Sequence, residues 1–351
     1  MTILSDRWRG LRNVPHVRLT ELPTPVEPLP ALSRWAGAEL WIKRDDRTAA
    51  RYGGNKVRKL EYVLGEAFAK EADTLVTSGA AGSHHALATA LFGAEQGFAV
   101  HVVLMPQRYS AHVEEQLRAV LAAGAEVHPV RSGALVLPAV QALAARLKLR
   151  GREPFVVPPG GSSVAGVIGH VEAGLELARQ MESGLLPEPD AIFVALGTGG
   201  TVAGLAVGLA MAGITARIVG VRVVPRALVN AATVGALITR TVRYLRALDD
   251  RVPNVAAVAR SHVVIDHDEL GRGYGEPTSA GQNAARLARE LAGLELEPTY
   301  TAKTLASVLR HARGDYEGRR LLYVHTLSSA DLGASAAGPP LPQPLERLLR
   351  R

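Results

Sequence analysis

Short, almost uninterrupted apolar runs alternate along this chain with longer stretches in which apolar residues return every three or four positions. No other feature limits the possible folds as much. ELWIKR (39–44), DTLVTSG (73–79), AVHVVLM (99–105), AEVHPV (125–130), PFVVP (154–158), DAIFVAL (190–196), ARIVGVRVV (216–224) and LLYVHT (321–326) read as strands. Several lack the alternation of a half-exposed strand, which suits parallel strands covered on both faces. Between them the periodicity predicts helices near 57–71, 84–96, 110–123, 135–148, 164–182, 201–212, 226–247, 278–292 and 302–313. The expectation is an α/β protein with mostly parallel sheets.

At 351 residues the chain is long for a single core, so two units are expected. The compact strand–helix series from residue 58 onward and the turn-rich VPPGGSS (157–163) suggest the boundaries. The Pro-rich LPTPVEPLP and GPPLPQP segments read as extended surface linkers. Cys is absent, which excludes disulfides, thiolate metal sites and a cysteine nucleophile, and no metal site is expected. No apolar run approaches the roughly 20 residues of a membrane span, and the N-terminus lacks a secretory pattern. A cytoplasmic protein without a membrane partner is expected. The net charge of +7 raises nucleic-acid binding, but basic residues are scattered and aromatics make up only 5%, which argues against it.

Three stretches carry chemistry. In DAIFVALGTGGTVAGL a strand ends at Leu196, a Gly-rich turn follows, and a helix begins near Thr201. Converging backbone N–H groups and a helix N-terminus favour an anion. The spacing matches neither a Walker loop nor a dinucleotide fingerprint, which leaves a cradle for one monophosphate or simply a tight turn. In TSGAAGSHHALATA a strand again runs into small residues and a helix, with Ser83 at the cap position and His84 and His85 behind it. Ser83 alone reads as a cap; the three together could receive a carboxylate. In YGGNKVRKLEY, Asn55 is a good N-cap and Lys56 falls in the first helical turn, where a cation opposes the helix dipole. A positive helix end and partial burial lower an amine pKa, as a Schiff-base lysine requires. Arg58 and Lys59 read as solvated cations on the face of the helix.

Taken in order, WIKRDD, YGGNKVRKLEY, DTLVTSGAAGSHHALATA, ALGTGGTVAGL, GYGEPTSAGQNAARLARE and EPTYTAKTLASVL resemble the pyridoxal-phosphate enzymes of the D-cysteine desulfhydrase and 1-aminocyclopropane-1-carboxylate deaminase family. The resemblance covers roughly residues 20 to 333. It implies a tryptophan-synthase-β-like (fold type II) architecture of two three-layer α/β/α domains with mostly parallel twisted sheets. The large cofactor domain would comprise residues 1–57 and 158–351, the small domain 58–157, and the active site would lie between them. It further implies pyridoxal 5'-phosphate as cofactor, a small amino acid as substrate and a homodimer.

Carried over by position, Lys56 is the Schiff-base lysine that moves protons at the substrate Cα. Gly197, Thr198, Gly199, Gly200 and Thr201 match the phosphate loop, and Asn55 a partner of the cofactor ring. Ser83 matches a catalytic serine facing the substrate carboxylate, with His84 and His85 beside it. Tyr274 and Tyr300 match two active-site tyrosines, and Thr326 the partner of the pyridine nitrogen. The implied reaction is Cα deprotonation and β-elimination to a 2-keto acid and ammonia. The alternatives are β-replacement, racemisation or cyclisation with the same cofactor, and a non-catalytic binding protein. Departures bear on the substrate. Gly82, Ser83 and His84 stand where the family usually has Gln-Ser-Asn. Leu327 and Ser328 replace two glycines, and Thr301 replaces the Glu of the deaminase branch, which leans toward the desulfhydrase branch.

Overall fold

The computed structural model describes residues 2–333 and 341–350. The chain divides into two compact units. The larger comprises Met1–Val14, Thr20–Lys59 and Ser162–Ser329; the smaller comprises Pro15–Leu19, Leu60–Gly161 and Ala330–Arg351. The division falls inside one helix, between Lys59 and Leu60.

Among its described residues the larger unit holds strands β1 (Val26–Pro28), β2 (Glu39–Lys43), β8 (Ala191–Leu196), β9 (Arg217–Arg222), β10 (Val263–Asp266) and β11 (Arg320–Val324). They form one sheet in the order β1-β2-β11-β8-β9-β10. All neighbours are parallel except β1 and β2. Its helices are α1 (Ile3–Arg7), α2 (Pro30–Ala36), the start of α3 (Asn55–Ala69), α7 (Val164–Glu182), α8 (Gly200–Met211), α9 (Ala231–Leu248), α10 (Ala256–Ser261), α11 (Ser279–Ala292) and α12 (Thr301–Ala312). On one sheet face Leu40, Ile42, Phe193, Val221 and Leu321 pack with Leu32 of α2, Leu287 of α11 and Leu305 of α12. On the other face α8 lies against β8 and β9, and α7 lies against α8. All six residues of β8 are buried, which explains its unbroken apolar run.

The smaller unit holds β3 (Thr74–Ala80), β4 (Ala99–Met105), β5 (Gln107–Arg108), β6 (Glu126–Pro129), β7 (Pro154–Val156) and β12 (Leu349–Arg350), with α4 (His84–Glu95), α5 (Ala111–Ala122) and α6 (Val136–Leu149). A four-stranded, all-parallel sheet runs β6-β4-β3-β7. Val140, Leu143 and Leu147 of α6 cover one face through Val76 and Val103, while α4 covers the other. Each unit is thus a three-layer α/β/α sandwich, the architecture expected from the sequence. No helix among the described residues is long and apolar enough to cross a membrane.

The structure departs from the sequence expectations in several places. LPTPVEPLP is not a linker: Val26–Pro28 forms β1, antiparallel to β2, and Pro30 opens α2. A proline is tolerated there because β1 is an edge strand that need not donate on its outer side. The short apolar run VVID (263–266) forms β10, which the sequence reading left out. The C-terminal stretch clusters with the smaller unit, not the larger, through the pairing of β12 with β5. Residues 338–340 of GPPLPQP lie outside the described residues, and Gln343–Glu346 forms a short helical turn.

Candidate active site

The GGNK turn is fixed before α3 begins. Gly54 has φ +95°, and a Cβ there would fall 2.7 Å from the Thr326 carbonyl oxygen, so glycine is required twice over. The same carbonyl accepts the Asn55 N–H at 3.3 Å, and Ser328 Oγ accepts the Gly53 N–H at 2.9 Å. Asn55 is the first residue of α3, and its side-chain amide donates to Thr201 Oγ1 at 2.9 Å. The lysine turn and the Gly-rich loop, 146 positions apart, are thereby joined. Thr326, predicted at this site, touches the lysine turn through its backbone.

Lys56 follows, partly exposed. Burial lowers its amine to about 8 against the opposing charge of Glu297. That is the direction a nucleophilic amine needs near neutral pH.

Arg58 and Lys59 are not solvated cations; both are about 1% exposed. Arg58 pairs with Asp45 at 2.8 Å and Glu176 at 2.9 Å, and Lys43 meets Glu176 at 2.5 Å. Burial alone would raise the Glu176 carboxyl, but Arg58 and Lys43 outweigh it and leave it at about 2. The two cations and two carboxylates compensate each other, as a buried charge set must. Sequence could not show this, because the carboxylates lie 13 and 118 positions from Arg58.

Lys59 turns toward the Gly-rich loop instead. Its Nζ donates to Ser162 Oγ at 3.1 Å, and that oxygen lies 2.6 Å from Thr198 Oγ1 and accepts the Gly200 N–H at 3.2 Å. A Cβ on Gly200 would fall 2.6 Å from Ser162 Oγ and 2.9 Å from Lys59 Nζ, so only glycine admits the approach. Gly199 caps α8 from a left-handed conformation, and Gly197 lies beside the Tyr300 ring. Burial and the neighbouring Lys56 charge hold the Lys59 amine well below its ordinary value. An amine, two hydroxyls and the positive end of α8 form a donor set suited to a phosphate monoester. Lys59 and Ser162 were not among the expected site residues; Ser162 sits in VPPGGSS, read only as a boundary between units.

Tyr274 and Tyr300 meet, their hydroxyls 2.6 Å apart. Burial raises both phenols, Tyr300 further, so both stay protonated at neutral pH. Tyr300 is held by Glu297, whose carboxylate accepts the N–H groups of Thr299, Tyr300 and Thr301 at 2.7, 2.6 and 2.8 Å. Glu297 was also missed, although Glu just ahead of a helix start is a recognisable cap signal.

In the smaller unit Ser83 is the N-cap of α4, its Oγ accepting the Ala86 N–H at 3.2 Å. His84 places Nε2 3.2 Å from His112 Nε2. His85 is 4% exposed, and its Nε2 lies 3.1 Å from Thr77 Oγ1 on β3. That position supports a packing role for His85 over the substrate role expected for it.

Comparison with known proteins gives the family. A family model described as "Pyridoxal-phosphate dependent enzyme" matches residues 17–326. D-cysteine desulfhydrase of Klebsiella pneumoniae (strain 342) is 36% identical over 332 residues, covering 91% of this chain and 95% of the relative. That of Salmonella schwarzengrund (strain CVM19633) is 35% identical over 327 residues, covering 90% and 94%. A crystal structure titled as the ACC deaminase homologue superposes with a TM-score of 0.80 at 31% identity, covering 97% of this chain and 98% of that one. The processed form of threonine deaminase isoform 2 from Solanum lycopersicum shares the fold, with a TM-score of 0.60 at 16% identity, covering 96% and 84%. With the family model matching residues 17–326 and relatives of about 35% identity covering nine-tenths of it, the chain belongs to the pyridoxal-phosphate-dependent enzymes, in the group of D-cysteine desulfhydrase and 1-aminocyclopropane-1-carboxylate deaminase.

Proposed function

We propose that this enzyme catalyses β-elimination on a small amino acid of the D-cysteine type. In balanced form, the amino acid and water give pyruvate, ammonia and hydrogen sulfide. The observation that carries the reading is the Lys56 amine, brought to about 8 by burial and standing in the same unit as the phosphate cradle.

Pyridoxal phosphate, when bound, supplies the electron sink that stabilises negative charge at the substrate Cα. Its phosphate would be held by Lys59, Ser162, Thr198, Thr201 and the backbone of Gly197, Gly199 and Gly200. Its ring would be met by Asn55, whose amide is already oriented by Thr201, and by the Thr326 hydroxyl. Lys56 Nζ takes the proton from Cα, a role favoured by an amine lowered to about 8, because far more of it is unprotonated near neutral pH than in an ordinary lysine. The neutral phenols of Tyr274 and Tyr300 can donate a proton to the departing sulfur. Their mutual hydrogen bond keeps one hydroxyl hydrogen directed at its neighbour and leaves the other free to donate. Ser83 and His84 would receive the substrate carboxylate. Thr301 in place of the deaminase-branch Glu favours this outcome over ring opening.

A panel of D-cysteine, 1-aminocyclopropane-1-carboxylate and D- and L-serine, scored for keto acid, ammonia and sulfide, tests the reading. Equal yields of sulfide and pyruvate from D-cysteine support it. Conversion of D-cysteine to another amino acid, or silence across the panel, overturns it. Lys56→Ala should abolish both the lysine-bound cofactor absorbance and turnover; retained turnover would remove Lys56 from its role.

A further inference from the structure

On the face of the smaller sheet covered by α6, two histidines and a carboxylate converge. β4 and β6 are parallel neighbours whose register sets His101 opposite Glu126 and Val103 opposite His128. Side chains alternate along strands, so Glu126 and His128, two apart on β6, share the face of His101. Val103 and Val130 on that face pack with α6, so the three polar residues lie beside an apolar patch toward the β6 edge of the sheet.

We infer that His101, Glu126 and His128 form a binding site for a divalent transition ion of the zinc class. His101 Nδ1 and His128 Nε2 lie 3.1 Å apart. One Glu126 oxygen lies 3.4 Å from His101 Nδ1, and the other 3.3 Å from His128 Nε2. Ligand atoms on a tetrahedral ion with bonds of about 2.0–2.1 Å are separated by about 3.3 Å, so each of the three contacts has the spacing of two donors on one ion, with the carboxylate facing the two imidazoles through its two oxygens. Proton arithmetic points the same way. A single N–H between the two ring nitrogens satisfies that contact and leaves the acceptor nitrogen's lone pair facing a Glu126 oxygen, whereas one cation satisfies all of them. Burial lowers both imidazoles below the ordinary histidine value, which favours the neutral, ligating form. Arg146 and Arg152 act in the same direction on His101 and also oppose a bound cation, so the carboxylate is needed to offset them. Three protein ligands leave a fourth position for water, and the ion would tie edge strand β6 to β4. The pattern was present in the sequence as HVV and EVH, with the two β6 ligands at strand spacing, but the pairing register that joins them was not.

The test uses chelator-treated, desalted holoenzyme titrated with Zn²⁺ by calorimetry and with Co²⁺ by visible absorption. The expected result is one equivalent bound, the intense bands of four-coordinate cobalt, and a rise in melting temperature with Zn²⁺. His101→Ala and His128→Ala should each weaken binding by ~100-fold or more and remove the cobalt bands. Glu126→Gln, which preserves shape, carries the same readout if a histidine variant fails to fold, with the bound-cofactor absorbance as the check on folding. Absence of stoichiometric binding to the wild-type enzyme overturns the site, and so does equal binding by the His101→Ala/His128→Ala double variant.

Discussion

Two strand-to-helix turns in this molecule look alike in sequence and differ in what their helix ends are given. β8 enters α8 through GTGG, and β3 enters α4 through GAAGS. At α8 the cap is a glycine, and the donors come from elsewhere: Lys59 from α3, Ser162 from the turn before α7, and Thr198 from the loop itself. At α4 the cap is Ser83, which uses its own oxygen on the Ala86 N–H, with a histidine pair beside it. The first arrangement brings a buried amine and hydroxyls to a positive helix end and suits a dianion. The second has already engaged part of its helix end and retains groups that suit a singly charged carboxylate. Small residues before a helix are therefore a weak signal by themselves; what the rest of the chain brings to the helix end decides the ligand.

The comparison can be broken at α8 first. Gly200→Val places carbon where Ser162 Oγ and Lys59 Nζ now stand, and cofactor affinity should fall by ~1,000-fold or more in equilibrium dialysis, about 4 kcal/mol. An affinity within a few-fold of wild type would show that the cradle is not at Gly200. Lys59→Met should cost ~10–100-fold in cofactor affinity, since a charge-assisted contact is lost. The apoenzyme should melt no lower, because the substitution also removes the cost of burying an amine. An apoenzyme that melts much lower would make Lys59 a structural residue.

Lys56 supplies the pH dependence. Its amine is lowered to about 8 by burial, so the reactive unprotonated fraction rises with pH and levels off above that value. The rate at which apoenzyme captures pyridoxal phosphate should climb ~10-fold per pH unit below the midpoint and flatten beyond it. A rate still climbing at the ordinary lysine value would mean the amine is not perturbed. The smallest effect is expected at α4. Ser83→Ala should cost about 1 kcal/mol of stability through the lost cap and leave cofactor affinity unchanged. A drop in cofactor affinity there would erase the distinction between the two helix ends.

The sequence disclosed the helix ends and strands better than their company. β8 was readable because a strand buried on both faces is apolar throughout, and β9 because its buried centre, IVGV, is apolar between two arginines. β1 was not, because prolines signal a linker unless the strand is known to lie on an edge. The place of Lys56 in the first turn of α3 was readable from local grammar: two glycines, an asparagine and a cation at the wrong end of a helix. Arg58 and Lys59 were misread because exposure is decided by distant segments. Nothing near them announces Glu176 or Ser162, 118 and 103 positions away. Glu297 differs in part: its cap position was legible locally, but its influence on Lys56, which crosses most of the chain, was not.

The compensated cluster of Lys43, Asp45, Arg58 and Glu176 has a consequence for how this sequence can drift. Removing any one member strands a charge in the interior, at a cost of about 3–5 kcal/mol, whereas replacing all of them with apolar residues of like volume can be nearly neutral. No path of single substitutions connects those two states without passing through an unstable intermediate. The cluster includes Arg58, two residues beyond Lys56 on the same helix, so the turn that aims the amine is locked into a quartet that must change together. Ser83 and His84 belong to no such quartet, so that helix end can change one residue at a time while the turn that carries the amine stays where it is.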